Sequence, residues 1–412
     1  MKVAVVGGGP SGMFCSAMMR LKCKNISVDL FEKNNKVGKK LNITGKGRCN
    51  ITNSCDIDDF MQNVVSNKKF CYTMLNMFSP EDTINFFEGC NVPLKIERGN
   101  RVFPMSDSAF DITDALRNIC VKNQVNILLN SNIDYINSLD DGKFELGCNK
   151  KSYVYDKVVI ATGGCSYKLT GSTGDGYKFA KSLGHNVVQP VGALCPIVLT
   201  NDVSSLQGLS LKNVTLNMNV AGKNKKSVFG DIMFTDKGIS GPIALTISSY
   251  LNRFQEDDVQ LFLDLKPAID EQVLEARIVR EVDQAKNKSV KHLLKALMPS
   301  SLADYALKYL GFDENLKLNS FTKTNRQNLI KFLKHFDLQF GGLYDINTAI
   351  ITAGGVNTNE INSKSMESKV TKGLYFVGEV VDVDCLTGGF NLQFALSSAH
   401  AAACDIVGGC DV

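Results

Sequence analysis

The feature that most constrains this chain is a glycine-spaced turn set directly behind an apolar run at its start. Val3-Ala4-Val5-Val6 leads at once into Gly7-x-Gly9-x-x-Gly12, with Pro10 and Ser11 between the last two glycines. Each glycine has its own duty in such a turn. The first lets the chain reverse tightly, the second lets a pyrophosphate approach the backbone, and the third lets the next helix pack close to the strand. Met13 to Lys22 reads as that helix, and Ser27-Val28-Asp29-Leu30-Phe31 as a second strand that ends at Glu32. This is the opening of a βαβ unit with a parallel sheet. The helix start presents N–H groups and a positive dipole end to phosphates, and a carboxylate at Glu32 can accept hydrogen bonds from ribose hydroxyls. FAD and NAD sites share this pattern, so by itself it predicts a dinucleotide without choosing between them.

The remainder of the chain supports an enzyme-sized globular protein. Its 412 residues suffice for two or three domains, with 44% hydrophobic and 21% charged residues. No apolar run approaches the ~20 residues of a membrane span, and the N-terminus lacks the features of a signal peptide. The expectation is a cytoplasmic protein without a membrane partner. Lys plus Arg is 46 and Asp plus Glu is 42, giving a net charge of +4. That near-neutral balance supplies no electrostatic case for nucleic acid. Local basic patches occur, as in Lys33 to Arg48 and in Lys223 to Lys226, the latter read as a solvated hairpin tip. Thirteen scattered cysteines without a Cys-x-x-Cys pair, and four histidines far apart in sequence, predict reduced thiols and no metal site.

Along the chain, Asp111 to Val121 has a helical pattern with an Asp that can cap it. Strand candidates follow at Val125 to Leu129, Lys143 to Leu146 and Lys157 to Ala161, the last running into Thr162-Gly163-Gly164. From about Pro190 the texture changes to short β-like runs (Ser210 to Val220, Ser227 to Phe234, Val259 to Leu265). Helical periodicity then takes over, as in Glu271 to Ala285 and Val290 to Met298. After Ile346 the strand-and-glycine style returns with Leu374-Tyr375-Phe376-Val377-Gly378-Glu379 and a helix from about Asn391. The fold expected is α/β: a Rossmann-like FAD-binding domain, residues 1–189 and 346–412, interrupted by an insert at 190–345. That insert reads as β-rich over 190–267 and helical over 268–345.

The choice of FAD comes from motifs outside the first turn. Ala161-Thr162-Gly163-Gly164 and Thr371 to Glu379 resemble the middle and C-terminal motifs of two-dinucleotide-fold flavoproteins, in which the C-terminal acid bonds the ribityl chain. More specifically, Gly38-Lys39-Lys40-Leu41-x-x-x-Gly45-Lys46-Gly47-Arg48-Cys49-Asn50 is similar to the signature of the BaiN-like flavoproteins, also described as aminoacetone-oxidase-type FAD-binding enzymes. The resemblance continues through Arg101-Val102-Phe103-Pro104, Ser106 to Ala109, Ala161 to Tyr167, Thr170 to Tyr177, Phe234 to Pro242, Thr352 to Val356, Met366 to Lys369 and Gly378 to Gln393.

The resemblance implies one FAD per subunit. It places Gly45 to Asn50 along the cofactor with Arg48 available, and the N-terminus of a helix at Thr387-Gly388-Gly389-Phe390-Asn391 beside the pyrimidine edge of the flavin, where a dipole stabilises the negative charge of the reduced ring. The candidate cofactor-binding residues are therefore Gly7, Gly9, Pro10, Ser11, Gly12, Glu32 and Lys33 in the first unit of the motif set. Lys40, Gly45, Gly47, Arg48, Cys49 and Asn50 form the second. Ala161, Thr162 and Gly163 form the third, and Gly378, Glu379, Gly388, Gly389, Phe390, Asn391 and Leu392 the last. Cys385 reads as a small packing residue in preference to a redox thiol. His185, after Gly184, reads as a helix C-terminal residue placed where a cation is favourable.

No acid–base pair stands out, and catalytic residues are not assigned. The leading expectation is an FAD-dependent oxidoreductase that moves a hydride to or from a small organic substrate. An alternative is NAD(P)H-dependent reduction of an unsaturated substrate. Only one full glycine fingerprint is present, so NAD(P)H would be a transient electron donor. From another class, a flavin-containing RNA-binding or RNA-modifying protein remains a competing reading, as does an NAD-only dehydrogenase.

Overall fold

The computed structural model describes residues 1–254 and 256–408. Its first compact unit comprises Met1–Ala193 and the chain from Ile346 onward. At its centre lies a five-stranded sheet of β1 (Lys2–Val6), β2 (Ser27–Phe31), β3 (Asn126–Leu128), β4 (Lys157–Ile160) and β5 (Leu374–Phe376). The spatial order is β5-β4-β1-β2-β3 and every pairing is parallel. The sequence reason is the run of β-branched residues with apolar groups on both faces: Val3, Ala4, Val5, Val158, Val159 and Ile160 are all buried. A strand covered on both sides can spare no polar face, which is the mark of a parallel sheet between helices.

Four helices concern the site: α1 (Pro10–Lys22), α2 (Ala109–Lys122), α3 (Asp175–Ser182) and α4 (Phe390–Gly408). α1 begins three residues before the expected Met13, because Pro10 sits in the first turn, where its missing N–H costs nothing. α4 packs against α1. Its small buried residues Ala399, Ala401, Ala402 and Ala403 permit that close approach. Asp111 does not cap α2; Ser108 holds the cap position, and Asp111 lies in the first turn. At the far end of α1, the buried Arg20 guanidinium donates to the carbonyls of Asn123, Lys24 and Ile26 and to Gln124 Oε1.

The second unit is Leu194–Asp345. A seven-stranded antiparallel sheet runs in the order Phe336–Leu338, Val259–Asp264, Ser210–Val220, Lys223–Phe234, Gly238–Ser240, Ile197–Leu199, Phe340–Leu343. Two departures from the sequence reading follow from it. The stretch read as helical ends in two strands that complete this sheet, and the stretch read as β-rich contains the helix Pro242–Leu251. Lys223 to Lys226 is not the hairpin tip: those residues begin the strand, and Ala221 and Gly222, both left-handed, make the turn.

His185 stands just past the C-terminus of α3, as its reading has it, with its N–H on the Ala180 carbonyl (2.9 Å), but its ring is not placed as a cation. Its side chain is fully buried, with Nε2 2.8 Å from Ser368 Oγ and Nδ1 3.2 Å from Glu360 Oε2. Burial lowers its pKa from the ordinary value, and the neighbouring carboxylate only partly offsets this. It is a buried ring, not an exposed cation at a helix end.

Every cysteine among the described residues is free. Among the described residues no group of His, Cys, Asp and Glu has metal-binding geometry, and no helix is long and apolar enough to cross a membrane.

Candidate dinucleotide site

The glycines of the first turn divide by what surrounds them. Gly7 has φ +115, and a Cβ there would lie 2.4 Å from the Ala161 carbonyl oxygen. A Cβ on Gly12 would lie 1.9 Å from Gly7 O. Both are required by the packing of β1, β4 and α1. Gly9 is different: an added Cβ would meet nothing within 4 Å. No protein contact demands glycine there, so the open space fits a group that comes from outside the chain. Pro10 and Ser11 open α1, whose first turn carries no acidic side chain and no side-chain cap. Its N-terminal dipole therefore faces that space uncompensated.

Glu32 ends β2 at the same edge. One carboxylate oxygen accepts from Gly8 N (2.9 Å) and the other from Asn34 N (2.8 Å) and Asn34 Nδ2 (2.7 Å). The acid is thus held in place with lone pairs to spare. Lys33 turns to Asp175 at the start of α3, with Nζ 2.7 Å from Oδ2, and to Thr173.

The middle and C-terminal motifs converge around a second carboxylate. Glu379 accepts from Lys40 Nζ through both oxygens (2.8 and 3.0 Å) and from Thr352 N (2.8 Å). Lys40 Nζ is also 2.7 Å from Ser166 Oγ. Thr352 Oγ1 in turn accepts from the N–H groups of Cys165 and Ser166, which fixes the turn behind Ala161-Thr162-Gly163. Gly378, at φ +73, donates its N–H to Ser398 Oγ, and a Cβ there would lie 2.7 Å from Ser11 Oγ. The C-terminal motif is thereby seated on the first turn of α1.

The Gly45 to Asn50 segment is a knot of left-handed residues: Gly45, Lys46, Gly47 and Cys49 all have positive φ. Cys49 is buried, and burial pushes its thiol up to about 12. Arg48, read as available to a cofactor, is engaged within the protein. It is paired with Glu97 and with Asp107 (2.6 Å), and its guanidinium stacks 4.3 Å from the Phe103 ring centroid. The hydrogen bonds from Lys95 and Arg48 hold Asp107 below the usual carboxylate range. A second segment, Gly388-Gly389, leads into α4. A Cβ on Gly389 would lie 2.3 Å from Thr52 O, so the loop is pressed against the short strand Thr52–Asn53. Phe390 packs edge-on against Phe60, and Leu392 is partly buried. Asn391 is spent on its own loop, accepting from Cys385 N and donating to Cys385 O. Cys385 is fully buried, which raises its pKa well above the ordinary thiol value and suits a packing role.

Three buried polar atoms near these motifs have no hydrogen-bond partner among the described residues: Asn50 Oδ1, Thr162 Oγ1 and Tyr177 OH. Such groups are costly to leave unmatched, and together with the open space at Gly9 they fit a bound ligand rich in hydrogen-bonding groups. Ser166, Thr352 and Asp175 lie within the motif segments but carry no local sign of a role; only the fold shows that Ser166 and Thr352 orient Glu379 and that Asp175 holds Lys33.

The HI0933-like protein Rossmann domain matches residues 1–405 of this chain. A "Ribosomal RNA dihydrouridine synthase" from Escherichia coli is 32% identical over 98% of this chain and 97% of its own length. One of the same description from Haemophilus influenzae is 30% identical over 98% and 97%. A "3-dehydro-bile acid delta(4,6)-reductase" from Clostridium scindens is 25% identical over 97% and 98%. Among solved structures, a 3-ketosteroid delta1-dehydrogenase from Sterolibacterium denitrificans shares the fold at 13% identity, with a TM-score of 0.53 and 99% of each chain covered. The chain belongs to the HI0933-like family and is an FAD-dependent oxidoreductase.

Proposed function

We propose that this enzyme reduces a carbon–carbon double bond conjugated to a carbonyl group. The observation that carries the reading is a convergence between relatives of very different substrate. Making dihydrouridine saturates the uracil ring bond next to a carbonyl, and a delta(4,6)-reductase acting on a 3-dehydro steroid acts on double bonds conjugated to a ketone. The shared element is the activated alkene, not the molecule around it. Bound and reduced, FAD would supply the hydride for such a bond.

The residues that would hold the cofactor are those just described. Gly9 and the start of α1 would receive the pyrophosphate, Glu32 a ribose, and Glu379, steadied by Lys40 and Thr352 N, the ribityl hydroxyls. The start of α4 at Gly388 to Phe390 would stand by the pyrimidine edge, where its dipole favours negative charge. NAD(P)H is the proposed electron source, visiting transiently because the sequence holds a single dinucleotide fingerprint.

A uridine in RNA is the substrate that the two relatives of 30% and 32% identity favour over a small free enone. It runs against the near-neutral net charge, which concerns the whole chain and not one face. The test is anaerobic stopped-flow. The yellow protein is mixed with NADH or NADPH, and then with unmodified ribosomal RNA or a cyclic enone. The expected result is bleaching, then reoxidation by one of the two with formation of the saturated product. A flavin that neither alkene reoxidises, while oxygen does, would overturn the reading in favour of an oxidase.

A further inference from the structure

A pocket of about 320 Å³ opens in the first unit beside the start of α4. Thr387, Gly388 and Phe390 form one wall, and Asn100 and Arg101 from the loop and strand Arg101–Pro104 form another. Arg101 is poorly matched inside the protein. Its Nε donates to the Arg98 carbonyl (3.0 Å), while its nearest carboxylate, Glu97, is 4.0 Å away and is already paired with Arg48. Its guanidinium carbon lies 5.7 Å from the Phe103 ring centroid, and the residue is part of the pocket lining. The one acid in the lining is Asp59, whose carboxylate accepts from Gln62 (3.3 Å).

This lining is selective. It offers a guanidinium for an oxyanion, a carboxylate for an N–H donor, and several amide groups and a hydroxyl, with Phe390 as the main apolar surface. A steroid nucleus would leave those polar groups desolvated and unpaired, which is costly. A pyrimidine nucleotide matches them: its phosphate suits the Arg101 fork, and its imide N–H suits Asp59.

We infer that this pocket is the subsite for a phosphate-bearing pyrimidine nucleotide unit of the substrate, with Arg101 as its anion contact. The inference rests on the reductase reading for its link to turnover, but not for its test. The probe is uridine 5′-monophosphate, titrated calorimetrically into the FAD-loaded protein, with inorganic phosphate and a steroid carboxylate as separate arms. Binding of the nucleotide is expected, weakened about 10- to 100-fold in Arg101→Gln and partly restored in Arg101→Lys, as loss of a charge-assisted hydrogen bond requires. Flavin content and visible spectrum should be unchanged in both variants, and Lys225→Gln, in the second unit and outside the pocket lining, should bind as the unaltered protein does. No nucleotide binding at millimolar concentration, equal binding by Arg101→Gln, or tighter Arg101-dependent binding of the steroid carboxylate would each overturn the assignment. Enone turnover without nucleotide binding would overturn this inference while leaving the reductase reading intact.

Discussion

Lys40 and Glu379 lie 339 positions apart in the chain, yet Lys40 Nζ sits 2.8 Å from Glu379 Oε2 and 3.0 Å from Oε1. Both side chains are about one-fifth exposed, so the pair gains more than a surface ion pair and less than a dry one. It joins the first and last segments of the Rossmann unit at the point where the ribityl chain is proposed to lie. Lys40→Met should leave the fold intact but weaken FAD binding about tenfold, and Glu379→Gln should do the same or more. In a double-mutant cycle read by flavin fluorescence, the two effects should fail to add by on the order of 1 kcal/mol. Strict additivity would show that the contact does not contribute to the cofactor site.

Two glycines of the first turn, Gly9 and Gly12, should separate stability from binding. Gly12→Ala forces a methyl against Gly7 O at 1.9 Å. It should destabilise the cofactor-free protein by about 4 kcal/mol or prevent folding. Gly9→Ala meets no protein atom within 4 Å and sits at φ −77, which alanine adopts readily. Its cofactor-free urea midpoint should therefore stay within about 0.5 kcal/mol of the unaltered protein, while FAD affinity falls tenfold or more because the methyl occupies the phosphate approach. Equal unfolding losses in the two variants would contradict this division of labour.

Much of this was legible in the sequence, and what was not has a physical pattern. The parallel sheet could be read because Val3 to Val6 and Val158 to Ile160 are buried on both faces and leave no polar alternation. The glycine turn could be read because its spacing is local. The ion pairs of Arg48 could not be read: its partners Glu97 and Asp107 come from a strand and a turn some fifty residues on, and no local pattern announces such a pairing. Asn391 looked like a ligand because of its motif, whereas the tight loop after Cys385 consumes both ends of its amide. Ser166 and Thr352 went unnoticed for a related reason, since their function is to orient Glu379 and becomes visible only when three distant segments meet.

Arg20 offers a test of the scaffold away from the site. Its buried guanidinium ties the end of α1 to the end of α2 through three carbonyls and one side-chain amide. Arg20→Met keeps the length of the stem but strands those acceptors. A loss of about 2–4 kcal/mol in urea unfolding is expected, with the FAD affinity of the folded fraction unchanged. A loss below about 0.5 kcal/mol would mean that water replaces the guanidinium without cost.

His185 should make the first unit sensitive to mild acid. Burial lowers the folded-state pKa of its ring, whereas in the unfolded chain the ring titrates near its ordinary value of about 6.5. Between the two values the unfolded state binds the extra proton, so stability rises with pH across that window. The stabilising contribution is complete above about pH 6.5 and is lost as the pH falls toward the folded-state pKa. The Glu360 carboxylate 3.2 Å from Nδ1 narrows the window without closing it, because desolvation is the larger effect. His185→Gln keeps a polar group near Ser368 and Glu360 but removes the titration. Urea unfolding of the unaltered protein should show a lower midpoint at about pH 5.5 than at about pH 7.5. The variant, weaker at neutral pH, should show a smaller difference between the two conditions. A variant with the same acid dependence as the unaltered protein would assign the effect to other groups.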